Sequence, residues 1–163
     1  RERARRLLLA PQRQRENVVE QYRAALELES DHTRGAQVFE RVCSKCHLLN
    51  GIGHEVGPDL ETIRGRPAYL LLNDILMPNQ SIAQTYEAYV IETLDGRTID
   101  GVIGPQGPAS ITLRREGGEE DVIQRQNIKT MYASDLSAMA ADVEEQITPQ
   151  QMADLIRYIK TAN

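Results

Sequence analysis

The segment Cys43-Ser44-Lys45-Cys46-His47 constrains this chain more than any other feature of its 163 residues. Two thiols three positions apart share one side of a helical turn. They can add to the two vinyl groups on one edge of a haem, and a His directly after the second Cys then projects its imidazole to the iron from that edge. The pattern is the sequence signature of covalent haem attachment. Cys43 and Cys46 are therefore expected as thioether anchors of one haem c, and His47 as its proximal metal ligand.

Other uses of two cysteines fit less well. A structural zinc ion wants four tetrahedral ligands. The chain has two Cys and three His in all, and His47 abuts Cys46 awkwardly for a shared ion. A redox dithiol is found in a βαβ surrounding, which the pattern here does not supply. One C-x-x-C pair is no disulfide framework.

The charge balance narrows the partners. The net charge is −5, yet residues 1–15 carry six Arg and one Glu, or +5, which leaves −10 for the rest. A net acidic body argues against non-specific nucleic-acid binding. The basic stretch reads as a solvated helix face, or as a contact for an acidic partner or anionic lipid. No run is long enough to span a membrane. Because the chain begins with Arg, it is read as a fragment whose export signal lies upstream. There is no Trp and only one Phe, so a bulky prosthetic group fits the missing aromatic volume.

Along the chain, residues 12–29 read as a helix with Val19, Tyr22 and Leu26 on one face. A second helix is expected over about 34–45. Residues 48–66 are glycine-punctuated loop. Pro67 opens a third helix, with its apolar run from Tyr69 to Met77, and Pro78 stops it. Residues 85–132 change character: five short strands, with Asp95-Gly96 a hairpin signal, Gly104-Pro105-Gln106-Gly107-Pro108 a second turn and Gly117-Gly118 between the next two strands. Thr148-Pro149-Gln150-Gln151 reads as a capping box opening the last helix, whose apolar stripe is Met152, Leu155, Ile156 and Ile159. The fold class expected is mainly α with a small antiparallel β insertion, α+β overall, and an extra N-terminal helix. Residues 1–30 form the extension; residues 31–163 form the main domain, with the insertion at about 85–132.

The run from Gly35 through Phe39 to Cys43-Ser44-Lys45-Cys46-His47, followed by Gly57-Pro58-Asp59-Leu60, resembles class I cytochrome c. More narrowly, it is similar to the haem-binding domain at the C-terminus of membrane-bound dehydrogenases of planctomycetes and verrucomicrobia. That narrower resemblance runs from about residue 31 to 162. It implies a cytochrome c fold with a β insertion before the distal ligand, and export to the periplasm before haem attachment. It implies that the Pro58 carbonyl accepts the proton of the imidazole nitrogen that does not bind iron, and that Gly35 and Phe39 meet Tyr158 at a helix crossing. Leu60, Ile63, Leu70, Leu71, Ile75 and Ile82 become candidates for the haem pocket wall; each equally reads as plain core.

The resemblance also points to the distal ligand. A Ser-x-Met-Pro segment is expected after the β module, and Ser137-Ala138-Met139 matches its first three places, with Ala140 where the Pro should be. Met139 is the first choice and Met77 the second. Met152 reads as core, Met131 as packing beneath the β module, and His32 and His54 as surface residues. A thioether ligand favours reduced iron. The function expected is electron transfer by a His/Met-ligated haem c, in a carrier module and not an enzyme, between an upstream dehydrogenase domain and redox partner proteins. A gas or redox sensor, or a weak peroxidase with a labile sixth ligand, is the alternative.

Overall fold

The computed structural model describes residues 15–162. Most of the basic stretch 1–15, and residues 12–14 of the expected first helix, lie outside the described residues. Residues 15–22 are helical (α1) and tighten into a 3₁₀ turn over Arg23–Glu27. Tyr22 and Ala25 turn into the core.

Helix α2 spans His32–Val38, and the Asp31 carboxylate caps it by accepting from the Arg34 amide at 2.8 Å. The expected helix to residue 45 is not one uniform helix. The backbone widens into a π turn over Phe39–Cys43, with the Ser44 amide reaching back to the Phe39 carbonyl at 2.9 Å. Helix α3 spans Ala68–Leu76, with Pro67 as its N-cap. Helix α4 spans Pro149–Thr161. Its capping box closes in both directions: the Gln151 amide donates to Thr148 Oγ1 at 3.3 Å, and the Thr148 amide to Gln151 Oε1 at 2.9 Å.

These helices share one core. Phe39, Leu49, Leu71, Leu72, Leu76, Met152 and Leu155 are its most deeply buried large side chains. Each such burial stabilises by roughly 1.5–3 kcal/mol. Helix α2 crosses α4 at Gly35, where the two backbones nearly touch. Phe39 packs on Tyr158 with ring centroids 5.6 Å apart.

The strands are β1 (Glu87–Thr93), β2 (Thr98–Gln106), β3 (Ser110–Arg115), β4 (Glu119–Gln124) and β5 (Ile128–Ser137). They form one antiparallel sheet in the order β4-β3-β2-β1-β5. Ile91 pairs with Ile99 on one side and with Met131 on the other. Ile91, Ile111, Leu113 and Ile123 make a second core, on which Ile128 and Met131 pack.

That sheet overturns the expectation of a mainly α chain with a small β insertion. The five strands bury an apolar cluster of their own, so the sheet carries a core that needs no helix to cover it. The strand region also reaches Ser137, five residues beyond the expected end. Nor is α1 an extra appended to the fold, since Tyr22 and Ala25 sit in the same core as α2, α3 and α4.

Candidate functional site

The π turn delivers Cys43 to the edge of the helical core, and the chain then curls tightly. The Cys46 and His47 amides both donate to the Cys43 carbonyl, at 3.1 and 2.9 Å. A loop then folds back over this turn. The Cys46 carbonyl accepts from the Val56 and Gly57 amides, at 3.0 and 2.7 Å. Gly53 makes the return possible. It has φ +103°, and a β-carbon there would stand 2.1 Å from the His47 carbonyl oxygen, so no other residue fits.

The loop brings Pro58 against His47. Nδ1 of the imidazole lies 2.8 Å from the Pro58 carbonyl oxygen. A carbonyl can only accept, so Nδ1 carries the proton and Nε2 keeps its lone pair. Burial pushes the imidazole pKa below its ordinary value, and the hydrogen bond to Pro58 opposes this in part. The ring is thus held neutral, in the tautomer that a metal ligand requires. Gly57 lies flat against it: a β-carbon at 57 would come within 2.5 Å of His47 Cε1.

Both cysteines are half-buried and unbonded to each other. Burial pushes the Cys43 thiol up to about 12, with Cys46 adding to the shift and Arg41 opposing it. Cys46 is raised by burial and by Glu116, against Lys45. Both are neutral thiols, suited to conversion into uncharged thioethers.

Of the expected wall residues, Leu60 and Leu71 lie in the helical core, and Ile63 and Ile75 pack against it, as do Cys43 and Met139. Leu70 and Ile82 are half-buried, Ile82 in the stretch between α3 and the sheet. Met139 follows β5; its amide donates to Ser137 Oγ at 3.1 Å. Met77 caps the C-terminus of α3 and is half-buried. Met152 is fully buried in the helical core, and Met131 packs on the sheet's own cluster. His32 and His54 are exposed, His32 edge-on to Tyr158.

Two further features belong to the site. Arg64 Nε is out of solvent and has no hydrogen-bond partner among the described residues, although its Nη2 donates to Asn50 Oδ1 at 3.0 Å. A haem carries two carboxylates, and an unused guanidinium N–H is a donor suited to one. The second feature is the β3–β4 turn, which rests on the attachment segment itself. The Gly117 amide donates to the Lys45 carbonyl at 2.8 Å, Lys45 Nζ pairs with Glu116 at 2.7 Å, and Arg114 Nη1 donates to the Glu55 carbonyl at 3.1 Å. The Gly117-Gly118 turn was legible in the sequence; its docking partner, some seventy residues away, carried no local signal.

The donor set therefore fits a covalently held haem: two neutral thiols, one imidazole with a free Nε2, an apolar lining and a guanidinium with one unpaired N–H. Residues 32–94 match the family model of cytochrome c. The matched stretch contains Cys43, Cys46, His47 and Pro58 and ends just past β1. With it the cofactor is haem c, attached covalently through the chain's two cysteines, and the function is haem-based electron transfer. No described helix is long and apolar enough to cross a membrane.

Proposed function

We propose that the chain is a one-electron carrier in which His47 and Met139 hold the haem iron from opposite sides. The observation that carries this reading is the hydrogen bond from His47 Nδ1 to Pro58, which leaves Nε2 for the iron. Met139 supports it by packing on the same cluster as Cys43. Haem supplies the redox chemistry; the chain anchors it through Cys43 and Cys46, fixes the imidazole, and lines its pocket with Leu60, Ile63, Leu71, Ile75 and Ile82. A thioether on the far side favours the ferrous state and raises the potential.

The module belongs, in this reading, to a larger exported protein, loaded with haem in the periplasm. It passes electrons from a dehydrogenase domain to a soluble or membrane-bound acceptor. Protein matured in a periplasm is expected to give one covalent haem in a pyridine haemochrome assay. Met139→Ala is expected to lose the long-wavelength absorption of a sulfur-ligated ferric haem and to lower the potential. An unchanged spectrum and potential would remove Met139 as ligand. Rapid carbon monoxide binding by the reduced, folded wild type would favour the sensor or peroxidase reading, for which Ala140, in the place of a rigid residue after Met139, is the motive.

A further inference from the structure

We infer that Arg15 and Tyr22, on the N-terminal helix, are positioning residues for the loop that carries Met139. They replace the rigidity that a proline after Met139 would have given. The inference rests on the reading of Met139 as the distal ligand.

Residues 138–148 connect β5 to α4 with a single 3₁₀ turn, Val143–Glu145, as their only helix. Ala140 and Ala141, next to Met139, have no long side chain with which to grip the core. The loop is instead tied at both ends. At its start, the Ser137 amide donates to Asn79 Oδ1 at 2.7 Å, which fixes β5 to the residues just after α3. At its far end stands Arg15. Its guanidinium bridges two elements: Nη2 reaches Glu144 Oε2 at 3.0 Å while Nη1 contacts the other carboxylate oxygen, and Nε donates to the carbonyl of Leu76 at 3.1 Å. Leu76 is the last residue of α3. A cation at a helix C-terminus is favoured by the carbonyls left unpaired there.

Arg15 and Glu144 are only 24% and 17% exposed at their side chains. The pair is thus not an ordinary solvated surface pair, and its fork geometry fixes distance and angle together. Tyr22 adds a second tie from the next turns of the same segment, its hydroxyl lying 3.0 Å from the Glu144 carbonyl and 2.5 Å from that of Ile147. Burial of Val143 and Ile147 seats the same stretch in the core. The N-terminal helix, α3 and the Met139 loop are thereby locked to one another through two side chains.

The test uses the haem-loaded protein. Arg15→Ala and Tyr22→Phe, singly and together, are compared with the wild type in three measurements: amide exchange of residues 138–147, the long-wavelength ferric band, and carbon monoxide binding by the ferrous form. Loss of a charged hydrogen-bonded tie is expected to speed exchange in that loop about tenfold in the double variant. The sulfur-ligation band is expected to weaken, and carbon monoxide to bind faster. Double-variant protein with wild-type exchange in 138–147, or with faster exchange but an unaltered band and unaltered carbon monoxide binding, overturns the inference. If Arg15→Ala does not fold, Arg15→Lys keeps the charge but cannot bridge Glu144 and Leu76 together; wild-type behaviour of that variant also overturns it. Met139→Leu, measured alongside, separates the two claims: a wild-type band there removes the ligand assignment, whatever the exchange data give.

Discussion

The backbone carbonyl oxygen of Asp154 lies 2.1 Å from the point where a β-carbon on Gly35 would stand. The crossing of α2 and α4 is therefore built around the absence of a side chain. It is also the contact that sets how far Cys43, one π turn beyond α2, stands from the rest of the core. Tyr158 closes the same gap, its Cβ 2.7 Å from that point. Gly35→Ala is expected to force the two helices apart, at a cost of about 1–3 kcal/mol for overpacking. Denaturant unfolding followed by circular dichroism checks this. A Gly35→Ala protein with wild-type midpoint would show that the crossing yields more easily than its geometry implies.

Asp154 gives the same crossing a pH dependence. Its carboxylate is buried, only 1% exposed, and accepts from the Asp31 amide at 2.7 Å, from Arg34 Nε and Nη2 at 2.8 and 2.9 Å, and from Gln150 Nε2 at 3.2 Å. Burial pushes the carboxyl up, but the hydrogen bonds and the Arg34 charge outweigh it, so its pKa lies below the usual 3.8. A depressed folded-state value means stability that is fully present above the unfolded value and lost as pH falls through the folded one. The wild type is thus expected to lose stability on acidification below about pH 4. Asp154→Asn is expected to be less stable at pH 7 by about 1.5–3 kcal/mol and to show a flatter acid limb. Urea midpoints of both proteins from pH 7 down to pH 3 read this directly; parallel acid limbs would count against Asp154 as the linked group.

Asp154 also shows where sequence reading stopped. It falls among Met152, Leu155 and Ile156, so its burial was within reach of the helical period, but its partners Asp31 and Arg34 lie over a hundred positions away. Nothing local marks such a carboxylate as satisfied. The attachment segment was legible because its chemistry is contiguous: two thiols and an imidazole within five residues. So was the capping box at Thr148 and Gln151, a matter of four residues. The strand positions were legible too, because Asp95-Gly96 and Gly117-Gly118 are turn residues with positive φ at their glycines. The balance of the fold was not. Whether Ile91, Ile111, Leu113 and Ile123 close a core of their own depends on register and twist, which alternation alone does not specify. The π turn before Cys43 and the Arg15 tie to Glu144 were likewise invisible, one being a backbone adjustment and the other a contact across 129 positions.

Gly57 predicts a change at the haem and not in the fold. A β-carbon at 57 would lie 2.5 Å from His47 Cε1 and 2.9 Å from Nδ1, too close for the ring to stay where it is. Gly57→Ala should leave both cysteines free to carry haem, so the covalent stoichiometry is expected to remain at one. The imidazole must shift and its hydrogen bond to Pro58 lengthen, which weakens the fixing of its tautomer. The expected readouts are a changed visible spectrum and a shifted reduction potential at unchanged haem content. Wild-type values of both, in a fully loaded Gly57→Ala protein, would mean that Gly57 is not what positions the ligand.

The β3–β4 turn separates backbone docking from charge pairing. Lys45 and Glu116 are 55% and 63% exposed at their side chains, so their ion pair is solvated and contributes little to stability. The Gly117 amide, by contrast, meets the Lys45 carbonyl between the two haem-bearing cysteines, and Gly117 holds φ +77°. Glu116→Gln is therefore expected to leave the thermal midpoint nearly unchanged and to remove what salt dependence the pair contributes. Gly117→Ala keeps the amide but strains the turn, at a cost of roughly 1 kcal/mol, and is expected to loosen residues 43–47 as well as the sheet. Amide exchange at 44–47 in the loaded protein distinguishes the two substitutions: faster in Gly117→Ala, wild-type in Glu116→Gln. Equal exchange in both would mean that the sheet merely lies beside the attachment segment and does not brace it.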